Sequence, residues 1–166
     1  MTKQAKNVSI ILLALALLLA VLAWANSRSL SDTAPAQIGL KLDGDVLALL
    51  DKEDLLAFPG HTFTITQRSA GQGIRDYIYT GVELKLIIES QGIDISRLKQ
   101  VTVRGGDGYI SLVSARELQE EDNIYLVYAA NGQDLSGKHP YQLVICSDYF
   151  ALRWCRLVRE IEAESL

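Results

Sequence analysis

Cysteine, histidine, proline and methionine are scarce in this chain, and their scarcity limits the chemistry available to it. The 166 residues include two cysteines, two histidines, three prolines and one methionine. The spacing of Cys146, Cys155, His61 and His139 fits no zinc-binding pattern. In an oxidising compartment the two cysteines could form a disulfide if their segments lie side by side; independent packing as small apolar side chains is the alternative.

An excess of positive charge is also absent. The formal net charge is −4 and the sequence pI is about 5.2, so nothing indicates a nucleic-acid partner. Residues 1–36 hold three basic residues and one acidic residue, which leaves 13 basic and 19 acidic residues in the rest of the chain. The folded part is therefore expected to be acidic and weakly repelled by anionic surfaces.

One long apolar run is present, at residues 8–25, preceded by Lys3 and Lys6. Its length nearly crosses a hydrocarbon core, and the basic end is expected to stay cytoplasmic. Two interpretations remain open. An Ala-Trp-Ala site at residues 23–25 favours a cleaved signal peptide, whereas the length of the run and Trp24 favour a retained anchor. Either way, the domain is expected outside the cytoplasm.

The chain divides into a cytoplasmic basic end (1–6), a transmembrane anchor or signal segment (7–25), a polar linker (26–36) and a domain (37–163). Within the domain, alternating residues around the Asp43-Gly44 turn predict a hairpin. Asp51 is predicted to cap a short helix, and Ser114 another whose Glu117, Glu120 and Glu121 face outward. Many short strands with a few short helices indicate a mixed α+β fold. The tail, from Trp154 to Ile161, fits either a helix or a strand.

Several segments occur in an order that resembles a known family. They are "YTGVELKLIIESQGI", "VTVRGGDGYISLVSARELQEEDNIYLVYAANGQDL", "HPYQLVI" and "RWCRLVREIE". The corresponding motifs are YxGVPLxxLL, a strand ending in DGY, an NGxPL turn, an HGxPxRLVVP strand and a KW-containing tail. Residues 77–162 follow this order, and residues 37–76 supply the start. The chain thus resembles the molybdopterin-binding domain of the sulfite oxidase type, as a small member with an N-terminal transmembrane helix.

The resemblance implies an α+β sulfite-oxidase-type fold of mixed sheets and short helices. It also implies a molybdenum held by pterin dithiolene sulfurs and one cysteine thiolate. In "TITQRSAGQG" the family's Cys-Ala-Gly is replaced by residues 69–71, with Ser69 at the thiolate position. A serine hydroxyl is a hard, protonated ligand at neutral pH, unlike a thiolate. No metal ligand is therefore predicted, and molybdopterin is at most a cofactor by resemblance. Cys146 could replace the thiolate only if the fold brought it to this loop.

Candidate cofactor-binding residues, all by resemblance, are Arg68, Ser69, Arg75, Tyr109, His139 and Arg153. No catalytic residue is identified.

Each candidate also has a structural interpretation. Arg68 and Ser69 could form a solvated turn, and Arg75 could pair with Asp76. Tyr109 could pack in the core or bond the backbone through its hydroxyl. His139 could fix the entry to a turn before Pro140, and Trp154, beside Arg153, could anchor the core.

Three functions are compatible with these features, and whether the chain is an enzyme stays open. The first is a membrane-tethered, extracytoplasmic member that is degenerate in metal ligation and acts as a binding or partner-docking module. The second is an active molybdopterin-dependent oxidoreductase or electron-transfer component. The third is a structural subunit of a membrane complex. The expected location is the cell membrane, through residues 7–25, or secretion after signal cleavage, with a membrane or extracytoplasmic protein as partner.

Overall fold

The computed structural model describes residues 36–69 and 73–166, except for the side chains of residues 68 and 69. Ala36–Leu166 forms one compact unit. The predicted basic end, the apolar segment at residues 7–25 and all but the last residue of the linker lie outside the described residues. Of the helices that are described, none has the length and apolar character needed to span a bilayer.

Ten strands and three short α-helices make up the unit, with one turn of 3-10 helix at Ile95–Arg97. In chain order they are β1 (Ile38–Leu42), β2 (Asp45–Leu50), α1 (Lys52–Leu56), β3 (His61–Ser69), β4 (Gly73–Glu83), α2 (Leu84–Glu89), β5 (Leu98–Gly105), β6 (Ile110–Ser114), α3 (Ala115–Gln119), β7 (Ile124–Ala130), β8 (Gln133–Asp134), β9 (Gln142–Ile145) and β10 (Val158–Ser165). The predicted mixed α+β class is confirmed.

The strands form two five-stranded sheets. The first has the order β2-β1-β10-β5-β6, and the second has the order β3-β4-β7-β8 with β9 also on β7. Only the β1–β10 pair is parallel among the described strand pairs. Fully buried side chains from both sheets, such as Leu40, Val103, Leu126 and Ile161, belong to one hydrophobic core.

Local sequence signals start and stop several elements where they were predicted. The β1–β2 turn places Asp43 and Gly44 at φ values of 50° and 91°, a conformation that glycine adopts without steric cost and that Asp tolerates. Asp51 caps α1 through a reciprocal capping box with Asp54, and Ser114 does the same for α3 with Glu117. Glu120 and Glu121 are exposed, as predicted, whereas Glu117 is only partly exposed, because its carboxylate accepts hydrogen bonds from Ser114 at the helix start.

The ambiguous tail is a strand, so the helical alternative is wrong. β10 inserts between β1 and β5; it pairs with β5 from Val158 to Ser165 and with β1 from Glu160 to Ala163. Its Val158, Ile161 and Ala163 are fully buried, while Glu160 and Glu162 face away from the core. The pairing partners lie far away in sequence, which is why the local pattern could not settle the choice.

Candidate functional site

Three of the candidate residues lie on the ribbon formed by β3 and β4. The ribbon pairs antiparallel from His61↔Gly81 to Ser69↔Gly73, whereas β7 joins β4 only at Tyr79–Glu83. The half of the ribbon that holds Arg68, Ser69 and Arg75 thus extends beyond β7. Ser69 is the last residue of β3, so the strand does end at the loop that the sequence indicated.

The predicted pair between Arg75 and Asp76 is not formed. Arg75 is opposite Gln67 and Asp76 is opposite Thr66, and neighbours on a strand project to opposite faces. The Asp76 carboxylate accepts a hydrogen bond from the Thr66 hydroxyl at 2.7 Å. Arg75 itself is exposed on β4.

His139 lies at a cavity of about 270 Å³. The cavity is lined by His139, Gln142, Arg156 and Leu157 among others. The Nδ1 atom of His139 is buried without a hydrogen-bond partner, and its ring packs on Gly106, where a Cβ would come within 2.8 Å of Cδ2. Burial, followed by the charges of Lys138 and Arg159, lowers the pKa of His139.

Trp154 anchors the core, as predicted. It is nearly fully buried, its Nε1 donates to the Ile145 carbonyl at 3.0 Å, and its ring packs edge-on against Tyr79 with centroids 6.0 Å apart. Tyr79 stacks in turn on Tyr77. The indole therefore links the segment after β9 to the base of the ribbon.

Arg153 is held by two carboxylates from different elements. Its guanidinium donates to Asp148 through Nε at 3.2 Å and also through Nη2, and Nη1 lies 2.8 Å from a Glu117 oxygen. The hydrogen bond to Asp148 is the main reason why the pKa of Arg153 is raised. Because both of its partners are negatively charged, no net positive charge is left here to attract a phosphate.

Tyr109 does not pack in the core, because 40% of it is exposed. The other prediction is confirmed: its hydroxyl donates to the backbone carbonyl of Leu152. Its own N–H donates to the Asp107 carboxylate at 3.0 Å, in the turn before β6. Tyr109 thus ties the β5–β6 turn to the segment before Trp154.

Both cysteines are free thiols. The Leu143 N–H donates to the Cys155 carbonyl, so Cys155 sits three residues along β9 from Cys146, or roughly 10 Å away. That separation is too long for a disulfide. Burial raises the pKa of each thiol to about 11, with a further contribution from Asp122 at Cys146 and from Asp107 at Cys155.

The candidates therefore occupy three places: the ribbon, the His139 cavity and the β6 side of the first sheet. Among the described residues, no group of three His, Cys, Asp or Glu side chains could hold a metal ion. Sequence reasoning missed Gln142 and Arg156 at the cavity. Aligning "HPYQLVI" with HGxPxRLVVP would have drawn attention to Gln142, which occupies the position of the motif's arginine.

Comparison with known proteins identifies the fold. Residues 31–165 match the family described as oxidoreductase molybdopterin binding domain. The sulfane dehydrogenase SoxCD from Paracoccus pantotrophus has a similar structure, with a TM-score of 0.63 and 22% sequence identity. The similarity covers 77% of this chain and 38% of that one, and at this identity it supports the fold alone. No curated protein sequence matches. The chain belongs to the oxidoreductase molybdopterin-binding domain family.

Proposed function

We propose that this chain is a non-catalytic member of its family that acts as a partner-docking module, tethered outside the cytoplasm by residues 7–25. Members of the family typically bind molybdopterin. The proposal depends on whether the donor groups of this chain fit that cofactor and its metal. They fit poorly for two reasons. The first is the lack of a thiolate at the expected metal-ligand position, and the second is the negative charge around Arg153.

The thiolate position holds Ser69. A serine hydroxyl stays protonated at neutral pH and is a hard ligand, whereas the expected site requires a soft, ionised sulfur. The fold would have to bring one of the two thiols to this loop in order to compensate.

Cys146 is too far from this loop to compensate, and this observation carries the proposal. It lines a cleft with Asp122, Tyr125 and residues 61–64 at the beginning of β3. Ser69 is at the other end of the same strand, five residues or roughly 16 Å beyond Thr64. Cys155 is fully buried beside Gly105 in the first sheet, and both thiols are protonated at neutral pH.

The charge near Arg153 also argues against a phosphate-bearing cofactor. Asp148 and Glu117 already neutralise the guanidinium. An incoming phosphate would have to displace a carboxylate that is only 11% exposed, at a cost that phosphate binding would not readily recover.

The decisive experiment is metal and pterin analysis of the full chain, purified from its native membrane under mild conditions. We expect far less than one molybdenum per chain and no extractable pterin. Ser69→Cys restores the sulfur and leaves the carboxylates around Arg153 unchanged; we expect it to remain unloaded because the charge still disfavours a phosphate, and loading of this variant would show that the missing sulfur alone prevents binding. Stoichiometric molybdenum in the wild type that is lost in Ser69→Ala or Cys146→Ser would overturn the proposal and favour the active oxidoreductase.

Tethering is tested separately. Intact mass of the mature protein distinguishes a retained anchor from a cleaved signal, and protease accessibility in spheroplasts reports the side of the membrane. A mature chain that begins after residue 25 and is released in soluble form would replace the anchor with secretion. A structural subunit would instead co-purify in fixed stoichiometry with the same membrane proteins, even when the exposed apolar residues of the folded domain are replaced.

A further inference from the structure

Six large apolar side chains come together on the outside of the molecule beside β6. They are Tyr109, Ile110, Leu112, Tyr149, Phe150 and Leu152, named here the β6 patch. Leu152 is 77% exposed, and the other five are between 40% and 64% exposed. Scattered exposed apolar residues are ordinary, but a contiguous group of this size marks an interaction surface.

Hydrogen bonds hold the two halves of the patch together. The Tyr109 hydroxyl donates to the Leu152 carbonyl, and Arg153 Nη1 reaches the Leu112 carbonyl at 3.5 Å. Inside the loop, the Leu152 N–H donates to the Phe150 carbonyl at 2.7 Å. The Tyr149 and Phe150 rings pack edge-on with centroids 4.7 Å apart. The apolar side chains are thus presented from a fixed backbone, which lowers the entropy lost on binding.

The patch lies along an edge of the first sheet. β6 pairs with β5 on one side only among the described strands. Ile110 and Leu112 project outward while Ser111 and Val113 point to the interior. At this edge Arg153 Nη1 lies 3.5 Å from the Leu112 carbonyl, and the outward-facing apolar side chains are the part of the surface offered to a partner.

The charges around the patch are mainly negative. Asp107 is exposed two residues before Tyr109, and Glu117 and Asp148 share a single cation, Arg153. On the following turn, Glu120 and Glu121 are exposed as well. These five carboxylates outnumber the two nearby guanidinium groups, those of Arg153 and of Arg116 on α3, and so disfavour a second copy of the same patch, which would meet like charge. They also disfavour anionic lipid headgroups.

We propose that the β6 patch docks a protein segment that combines lysine or arginine with aliphatic side chains. This proposal rests on the proposed docking function and specifies its surface and the chemistry of its partner. The apolar centre supplies affinity, and the acidic surroundings select a cationic partner and speed its association.

The first test uses the full chain in neutral phosphatidylcholine nanodiscs and two short labelled peptides. One alternates lysine with leucine, and the other alternates glutamate with leucine. We expect the lysine peptide to bind more tightly and to lose affinity with added salt. Leu152→Ser should weaken its binding about tenfold, because truncation of a central apolar contact removes a large share of binding energy. Phe150→Ser should act in the same direction.

The matched control is Leu49→Ser. Leu49 is 58% exposed on β2, at the opposite edge of the same sheet, and its replacement should leave peptide binding unchanged. Equal binding of both peptides, or equal losses for Leu49→Ser and Leu152→Ser, would overturn the proposal.

The second test places a photocrosslinking amino acid at position 152 in native membranes, with position 49 as the control. The proposal requires a crosslink specific to position 152 that maps to a cationic, apolar protein segment. Crosslinks between two copies, crosslinks to lipid or no crosslink at all would each contradict it. Molybdenum is measured in the same preparation. Metal-free protein that fails to bind refutes the docking surface alone, and metal-loaded protein refutes the non-catalytic function whatever it binds.

Discussion

At the scale of single residues, Arg153 shows the largest difference between the role predicted from the sequence and the contacts made in the folded chain. In the sequence it precedes a tryptophan and is a candidate to bind a phosphate. In the structure it joins Asp148, Glu117 and the Leu112 carbonyl. It therefore connects the loop after β9 with α3 and with the edge of β6.

Replacing Arg153 should destabilise the fold measurably. Arg153→Met leaves Asp148 nearly buried without its cation, and we expect a loss of about 1–2 kcal/mol in the free energy of unfolding. Urea titrations followed by circular dichroism measure this loss. The matched control is Arg116→Met, an exposed position on α3, which should change stability by less than about 0.5 kcal/mol.

A double variant identifies the cause of that loss. Asp148→Asn together with Arg153→Met should recover part of it, because the amide does not carry an unpaired charge. A double variant as unstable as the sum of the two single variants would contradict the ion-pair explanation.

The two thiols should be unreactive in the folded chain. A pKa of about 11 at Cys146 and Cys155, against about 8.5 for a free cysteine, leaves roughly three hundredfold less thiolate at neutral pH. Alkylation with iodoacetamide should therefore be slow in native protein and fast for both thiols in urea. Rapid native labelling at Cys146, the less buried of the two, would contradict this description of its cleft.

At the scale of elements, the sequence predicted what is decided locally. The Asp43-Gly44 turn and the capping residues Asp51 and Ser114 depend on neighbours within a few positions, and each was placed correctly. The tail and the contact of Arg153 with Glu117 depend on partners far along the chain. β10 becomes a strand only because β1 and β5 flank it, and Glu117 faces Arg153 only after α3 has packed.

The close approach of β4 and β7 at Gly81 predicts that a larger residue there destabilises the fold. The register of β4 against β7 shifts between Thr80 and Gly81, and a Cβ at Gly81 would lie 2.5 Å from the Leu126 carbonyl oxygen. Because backbone cannot move aside easily, Gly81→Ala should lower the free energy of unfolding by about 1–3 kcal/mol. Thermal unfolding of the variant measures the effect.

Gly39 provides the control for that substitution. It also lies within a strand, β1, but a Cβ there would meet its nearest atoms at 3.9 Å and 4.0 Å, which is ordinary contact. Gly39→Ala should therefore be neutral or slightly stabilising. Equal destabilisation by the two alanines would indicate a general intolerance of β4 and β1 rather than the predicted clash.

At the scale of the whole molecule, the folded unit places its charges in pairs on the outer face of the first sheet. Along β10, Glu160 contacts Lys41 and Arg104, Glu162 contacts Arg104, and Glu164 bonds Gln100. The hydrogen bond from Lys41 is the main reason why the pKa of Glu160 is lowered. The acidic excess of the chain is thus partly neutralised on this face, whereas carboxylates outnumber cationic groups around the β6 patch.

Stability should therefore fall in two separate steps as the pH is lowered. His139 has a lowered pKa in the folded chain, so below about 6.5 the unfolded chain binds the proton more readily and stability declines. Glu160 and Glu117 also have lowered pKa values, so their contribution is complete above about 4.3 and is lost as the pH falls through the folded pKa. Urea titrations from neutral to acid pH measure both steps. His139→Gln should abolish the first step and keep the second, while His61→Gln, at an exposed position on β3, should keep both. If the first step persists in His139→Gln, the buried and unpartnered Nδ1 does not control it.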